Sequence, residues 1–155
     1  MADPLSIFAT VAGLVSAAAT VSTEIYGFIA NVKDAPKGME SLKAETDSLS
    51  SVLRQLSSTL QNDFDTKYPF PPSSAEDLKL VLNSCRSKFG EIEEKLNDYR
   101  TGRFLGKLRF VFADKDIAKL LRSLEAHKQT LAITCLLLLK YAPVASEFCP
   151  VSKRC

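Results

Sequence analysis

The sequence predicts an all-α fold. It reads as an antiparallel four-helix-type bundle built around a central, hydrophobic N-terminal helix, with a short extra basic helix or loop before the last long helix. Three observations carry this. Apolar residues recur at alternating spacings of three and four in four successive stretches, the pattern of helical seams rather than of strands. Proline-marked breaks separate the stretches. A chain of 155 residues with 46% hydrophobic and 25% charged residues has the size and balance of one globular domain with a real core.

The first stretch organises the rest. No charged residue occurs in 4–23, and Glu24 is the only charge between Asp3 and Lys33. Asp3-Pro4 is a helix start, an acceptor side chain followed by a residue with pre-set φ. Ile7, Val11, Leu14, Ala18, Val21, Ile25, Phe28 and Val32 then form the seam. A second face carries Phe8, Ala12, Val15, Ala19 and Tyr26, so the helix is apolar nearly all round. Such a helix is either wrapped by neighbours or placed in lipid. At about 1.5 Å per residue it reaches about 45 Å, more than the roughly 30 Å of a bilayer core. A signal peptide does not fit, because Asp3 sits where a basic residue belongs. A transmembrane anchor has the length, but a run rich in Ala, Ser, Thr and Gly inserts weakly. The favoured reading is the buried central helix of a soluble bundle, able to leave it and enter a membrane.

Lys33-Asp34-Ala35-Pro36 breaks this helix. A second helix is expected over 37–61, with Met39, Leu42, Thr46, Leu49, Leu53, Leu56 and Leu60 as its seam and a solvated opposite face. Tyr68-Pro69-Phe70-Pro71-Pro72 then makes an extended connector rather than a ligand for a proline-recognising domain. Ser73-Ser74 with Glu76 and Asp77 restarts the chain with an N-cap and an acidic first turn. The third helix, over 74–99, presents Leu78, Leu82, Cys85, Phe89, Ile92, Leu96 and Tyr99.

Residues 100–112 differ in character. Arg100, Arg103, Lys107 and Arg109 alternate with Phe104, Leu105, Leu108, Phe110 and Phe112, and Gly102 and Gly106 loosen the backbone. Basic-aromatic segments suit phosphate-rich surfaces, above all lipid headgroups. A helix or loop that packs its aromatics on the bundle and leaves its bases in water is the equal alternative; nucleic acid ranks below both, because a net charge of +2 argues little for it.

The fourth helix is expected over 113–141, with Ile117, Leu120, Leu121, Leu124, Leu131, Leu138 and Tyr141 inward. Its apolar end, LAITCLLLLK, is too short to span a bilayer and reads as a buried partner for the first helix. His127 and Lys128 interrupt the stripe, and one of them, Lys128 foremost, is a candidate buried polar partner for Glu24. The bundle is therefore placed at 1–142 and an irregular tail at 143–155.

Motifs for chemistry are missing: no Gly-rich phosphate loop, no HExxH, no paired carboxylates on an apolar background, and one histidine only. No catalytic, metal or cofactor residue is assigned, and the chain is expected not to be an enzyme. The four cysteines show no CxxC pair; in a chain without an export signal they are expected reduced, with Cys85 and Cys135 buried and Cys149 and Cys155 in the tail.

The opening Met1-Ala2-Asp3-Pro4-Leu5-Ser6-Ile7, the VKDAP turn at 32–36 and the later Leu124-Glu125-Ala126-His127-Lys128 resemble the N-terminal domains of fungal NLR-like (STAND) proteins of the HeLo-like group. The resemblance covers most of 1–141. It implies a bundle related to the HeLo domain of a fungal prion-controlled toxin, to the killer bundle of the mixed-lineage kinase-like pseudokinase and to coiled-coil domains of plant immune receptors. The implied activity is programmed cell death and heterokaryon incompatibility as a form of innate immunity. The domain would self-associate, expose its N-terminal helix and permeabilise the plasma membrane from the cytoplasm. Implied partners are anionic lipids, further copies of the chain and an NLR-type sensor. Leu5, Ile7, Phe8, Val11, Leu14 and Val15 would enter the membrane while Arg100, Arg103, Lys107 and Arg109 hold its surface. The alternative is a helical adaptor that binds a like domain and never meets lipid.

Overall fold

A computed structural model of the chain describes residues 4–33, 35–63, 72–101 and 113–148, and the side chains of 6–33, 35–61, 75–101 and 113–137. Among these residues there are four helices and no strand: α1 Pro4–Asn31, α2 Gly38–Asp63, α3 Pro72–Arg100 and α4 Asp114–Phe148. The expected Asp3 cap, the side chains of Leu5, Ser73, Ser74, Leu138 and Tyr141, the connector up to Pro71 and the tail cysteines lie outside the described residues.

The helix boundaries follow local chemistry. α3 begins two residues earlier than its Ser-rich cap suggests, with Pro72 in its first position, where the missing N–H costs nothing. α4 opens on Ala113, whose carbonyl accepts the Asp116 and Ile117 amides at 2.9 and 3.1 Å, and has Asp114 and Asp116 in its first turn, where the helix dipole favours negative charge. It does not stop near Tyr141. It runs through Pro143 to Phe148, so the expected irregular tail is helical at its start. An interior proline removes the bond to the carbonyl four residues back and crowds that carbonyl, a local cost that the rest of this long helix outweighs.

The four predicted seams meet in one core. Ile7, Val11, Leu14, Ala18, Val21, Ile25 and Phe28 of α1 are buried, as are all seven predicted α2 positions. On α3 the stripe from Leu78 to Leu96 is buried, and Tyr99 packs its ring edge-on to Phe28 at 4.8 Å. On α4 the inward residues are Ile117, Leu120, Leu124, Leu131 and Cys135.

Directions alternate along the chain, but sequence neighbours are not always spatial neighbours. α1 packs on α2 and α3, and α4 packs on the same two; among the described residues the backbones of α1 and α4 make no contact, nor do those of α2 and α3. The cyclic order is therefore α1, α2, α4, α3. α1 runs antiparallel to α2, linked by a Ser22–Asp47 hydrogen bond. It runs parallel to α3, where Glu24 meets Arg100 and Phe28 meets Tyr99. α2 and α4 are also parallel, with Gly38 against Ile117 and Glu45 against Lys128. α3 and α4 are antiparallel through Ser84–His127 and Lys95–Asp116.

Two expectations are corrected by this order. α1 is apolar but occupies a corner rather than the bundle axis, and only 28% of its apolar window is buried. The apolar end of α4 does not cover α1. Leu131 and Cys135 turn inward, with Cys135 Sγ 4.0 Å from the Val52 carbonyl of α2. Ile133, Leu136 and Leu137 face outward at 59%, 66% and 51% exposure. A helix with two lateral neighbours can bury only one face, so the remaining apolar residues stay outside.

Candidate functional site

α1 is the feature that stands out from an ordinary bundle. The span Ser6–Asn31 is long and apolar enough to cross a membrane by length and composition, with a mean hydropathy of 1.5. Of the residues expected to insert, Ile7, Val11 and Leu14 are buried, and Phe8 and Val15 are half-buried against the core. The outer face carries Ala12, Gly13, Ser16, Ala19, Thr20 and Thr23, all exposed, all small and none charged. The threonine hydroxyls of this helix turn back onto its own carbonyls. Thr10 donates to the Ser6 carbonyl at 2.9 Å, Thr20 to Ser16 at 3.1 Å and Thr23 to Ala19 at 2.9 Å. Such back-bonds satisfy the side-chain donors without solvent.

Polar ties hold α1 at its C-terminal half. Asp47 of α2 accepts from Ser22 and, at 2.8 Å, from Lys43. Lys43, then Ser22, hold the Asp47 carboxyl below the usual range. Lys43 Nζ also sits 6.0 Å from the Tyr26 ring centroid. Glu24, the one charge in the helix, accepts from Arg100 at 3.0 Å. The expected Glu24–Lys128 pair does not form, because α1 and α4 stand on a diagonal. Lys128 instead reaches Glu45 of α2 at 2.7 Å, both side chains largely buried. Sequence reasoning saw that Glu24 and Lys128 each need a partner; it had no signal for which helices lie side by side.

Arg100 is the only base of the expected lipid-facing patch among the described residues, and it is engaged by Glu24 while remaining 63% exposed. Arg103, Lys107 and Arg109 lie outside them.

Elsewhere the bundle offers little for chemistry. Cys85 and Cys135 are buried and free, and burial pushes the Cys85 thiol up to about 12 and raises that of Cys135, so neither is a ready nucleophile. His127 Nε2 lies 3.0 Å from Ser84 Oγ and 3.4 Å from Ser123 Oγ in the α3–α4 seam, a contact the sequence did not reveal. Burial, then the nearby Lys88 charge, lowers its pKa. Among the described residues no group of His, Cys, Asp and Glu is placed to hold a metal ion. An open groove of about 330 Å³ between α1 and α2, lined by Ala12, Val15, Arg54, Ser57, Ser58 and Gln61, holds no convergent set of titratable groups.

Fold and surface together define an all-α bundle domain whose most unusual element is an apolar, half-covered N-terminal helix. By its match to a family model over residues 2–147, the chain belongs to the family described as pigment biosynthesis cluster protein PigL N-terminal. That span takes in both the opening motif and nearly all of α4. No curated protein and no solved structure matches the chain.

Proposed function

We propose that this chain is a non-enzymatic, HeLo-like cell-death or immune-signalling domain that acts on membranes through α1 after self-association. The observation that carries the reading is the surface of α1: an uncharged run over 4–23 with a small-residue outer face and back-bonded hydroxyls. As a helix that run measures about 30 Å, the thickness of a bilayer core. Glu24 and Arg100 stand at its end, where headgroups would lie. In the folded domain the inner face of α1 is sheltered by α2 and α3. Transfer of Ile7, Val11 and Leu14 from protein into lipid is close to neutral for the side chains, so the barrier lies in breaking bundle packing. Each base of 100–112 would add about 1 kcal/mol of attraction to an anionic leaflet.

Dye release from anionic liposomes tests the reading, with a variant carrying Gln at Arg100, Arg103, Lys107 and Arg109. The parent should leak dye. The variant should keep its thermal midpoint and bind liposomes less well, with the difference shrinking as salt rises. A parent that leaks nothing, even when concentrated enough to oligomerise, removes the membrane reading. The alternative is then an adaptor bundle. The family description ties the family's namesake to a pigment biosynthesis cluster.

A further inference from the structure

Among the described residues, two faces of the bundle have no partner, and they match each other. The outer face of α3 is a second 3-4 stripe running through Glu76, Leu80, Asn83, Ser87, Gly90 and Glu94, all exposed. On α4 the outer stripe begins with Lys115, Lys119 and Arg122, passes Ala126 and Gln129, and ends in Ile133, Leu136 and Leu137, again all exposed. A seam spacing on an outer face is not needed to close the bundle, because both helices already bury a complete inner stripe.

Charge and register select the occupant. One stripe is acidic with a single large apolar residue, Leu80, at 69% exposure; the other is basic with its large apolar residues gathered at one end. Laid antiparallel, with Leu80 against Leu136 and Leu137, the same register brings Glu94 opposite Arg122. It also sets Gly90 beside Ala126, where two small residues let the helices approach closely. No Cβ neighbour lies within 4 Å of Gly90, so its side is open to an incoming helix.

We infer that the outer face of α3 is the docking surface for the outer face of α4 of a second copy of this chain. The contact is heterologous, since the two surfaces differ, so it repeats from copy to copy rather than stopping at a dimer. α3 and α4 are antiparallel within one bundle. An antiparallel α3–α4 contact between bundles therefore leaves all copies pointing the same way. Their outer faces sit on adjacent corners of the bundle, so the chain of contacts curves towards a ring. In such a ring every α1 N-terminus lies at one end. The inference rests on the proposed membrane function for its purpose, because a common orientation is what joint insertion requires, but not for its geometry.

Sedimentation of the whole chain tests it, using Leu80→Asp and Leu137→Asp, two exposed sites whose replacement should leave the thermal midpoint unchanged. The parent should form species larger than a dimer at low salt, and assembly should weaken as salt rises. Each variant alone should associate at least about ten-fold more weakly. Mixed in equal amounts, the two variants retain one intact α3 face and one intact α4 face between them, so they should form a dimer that grows no further. The inference is overturned by a parent that stays monomeric at every salt and concentration, as it would if a different protein covers these faces. A parent that stops at a dimer, variants that assemble like the parent, and a mixture that stays monomeric or grows past a dimer each overturn it too. Dye release on the same samples separates the two proposals. A parent that assembles in this pattern without leaking keeps the interface and removes the membrane function; a parent that leaks while both variants assemble normally does the reverse.

Discussion

α1 and α4 occupy opposite corners of the bundle, and both are rich in apolar residues, but they use them differently. α1 buries Ile7, Val11, Leu14, Val21 and Ile25 and shows solvent a face mostly of Ala, Gly, Ser and Thr, with Tyr26 its one exposed large side chain among the described residues. α4 buries a comparable inner stripe but carries Ile133, Leu136 and Leu137 on the outside. The difference teaches that mean hydropathy does not say where apolar surface goes. In α1 it is stored against two neighbours. In α4 part of it is displayed, at the end of a face that begins with Lys115, Lys119 and Arg122.

The sharpest way to break this comparison is the same substitution on both helices. Leu14→Asp puts a carboxylate into the core at a fully buried position. It should cost several kcal/mol, on the order of 3–5, and collapse the thermal transition while abolishing any dye release. Leu136→Asp, on the exposed face, should change stability by no more than about 0.5 kcal/mol. Thermal unfolding followed by circular dichroism compares them directly, and equal losses would show that the outer face of α4 is covered in solution.

A smaller loss should follow at the seat of α4. A Cβ at Gly38 would meet Ile117 Cγ2 at 2.7 Å, a distance real contacts do not reach, so α2 and α4 approach closely only because residue 38 is glycine. Gly38→Ala should therefore destabilise by about 1–3 kcal/mol despite the better helix propensity of Ala. A gain in thermal midpoint would mean that the two helices can separate without cost.

The α3–α4 seam should respond to pH. The folded-state pKa of His127 lies below its ordinary value of 6.5, so the fold favours the neutral ring. Its contribution is whole above that value. It is lost as pH falls from there through the folded pKa, because the unfolded chain then binds the proton more readily. The thermal midpoint should decline over that window, and His127→Gln should flatten the decline. Asp47, whose pKa is lowered from 3.8, contributes above that value and loses its contribution only in more acidic solution, so the two effects separate on the pH axis. An unchanged slope in His127→Gln would assign the decline to other groups.

The smallest effect belongs to the tie between α1 and α3. Glu24→Gln breaks a pair in which Arg100 is 63% exposed, so stability should shift by less than about 1 kcal/mol. Arg100 would then be released, and binding to anionic liposomes at low salt should rise. Weaker binding would place Arg100 outside any lipid-facing surface.

Periodicity and breaks determined most of what lies within each helix. The four seams from Ile7 to Phe28, Met39 to Leu60, Leu78 to Leu96 and Ile117 to Leu131 were all readable, because a residue's place on a helix depends only on its spacing from its neighbours. So was the exceptional α1, whose lack of charge is a local property. Tertiary structure alone decided which helices touch. The partners of Glu24 and Lys128, the Ser84–His127 contact, the corner position of α1 and the exposure of Ile133, Leu136 and Leu137 all follow from the cyclic order α1, α2, α4, α3. A stripe marks the side of a helix that must be covered but not by which neighbour: apolar burial is non-directional, and the same four seams would also close a bundle in simple sequential order.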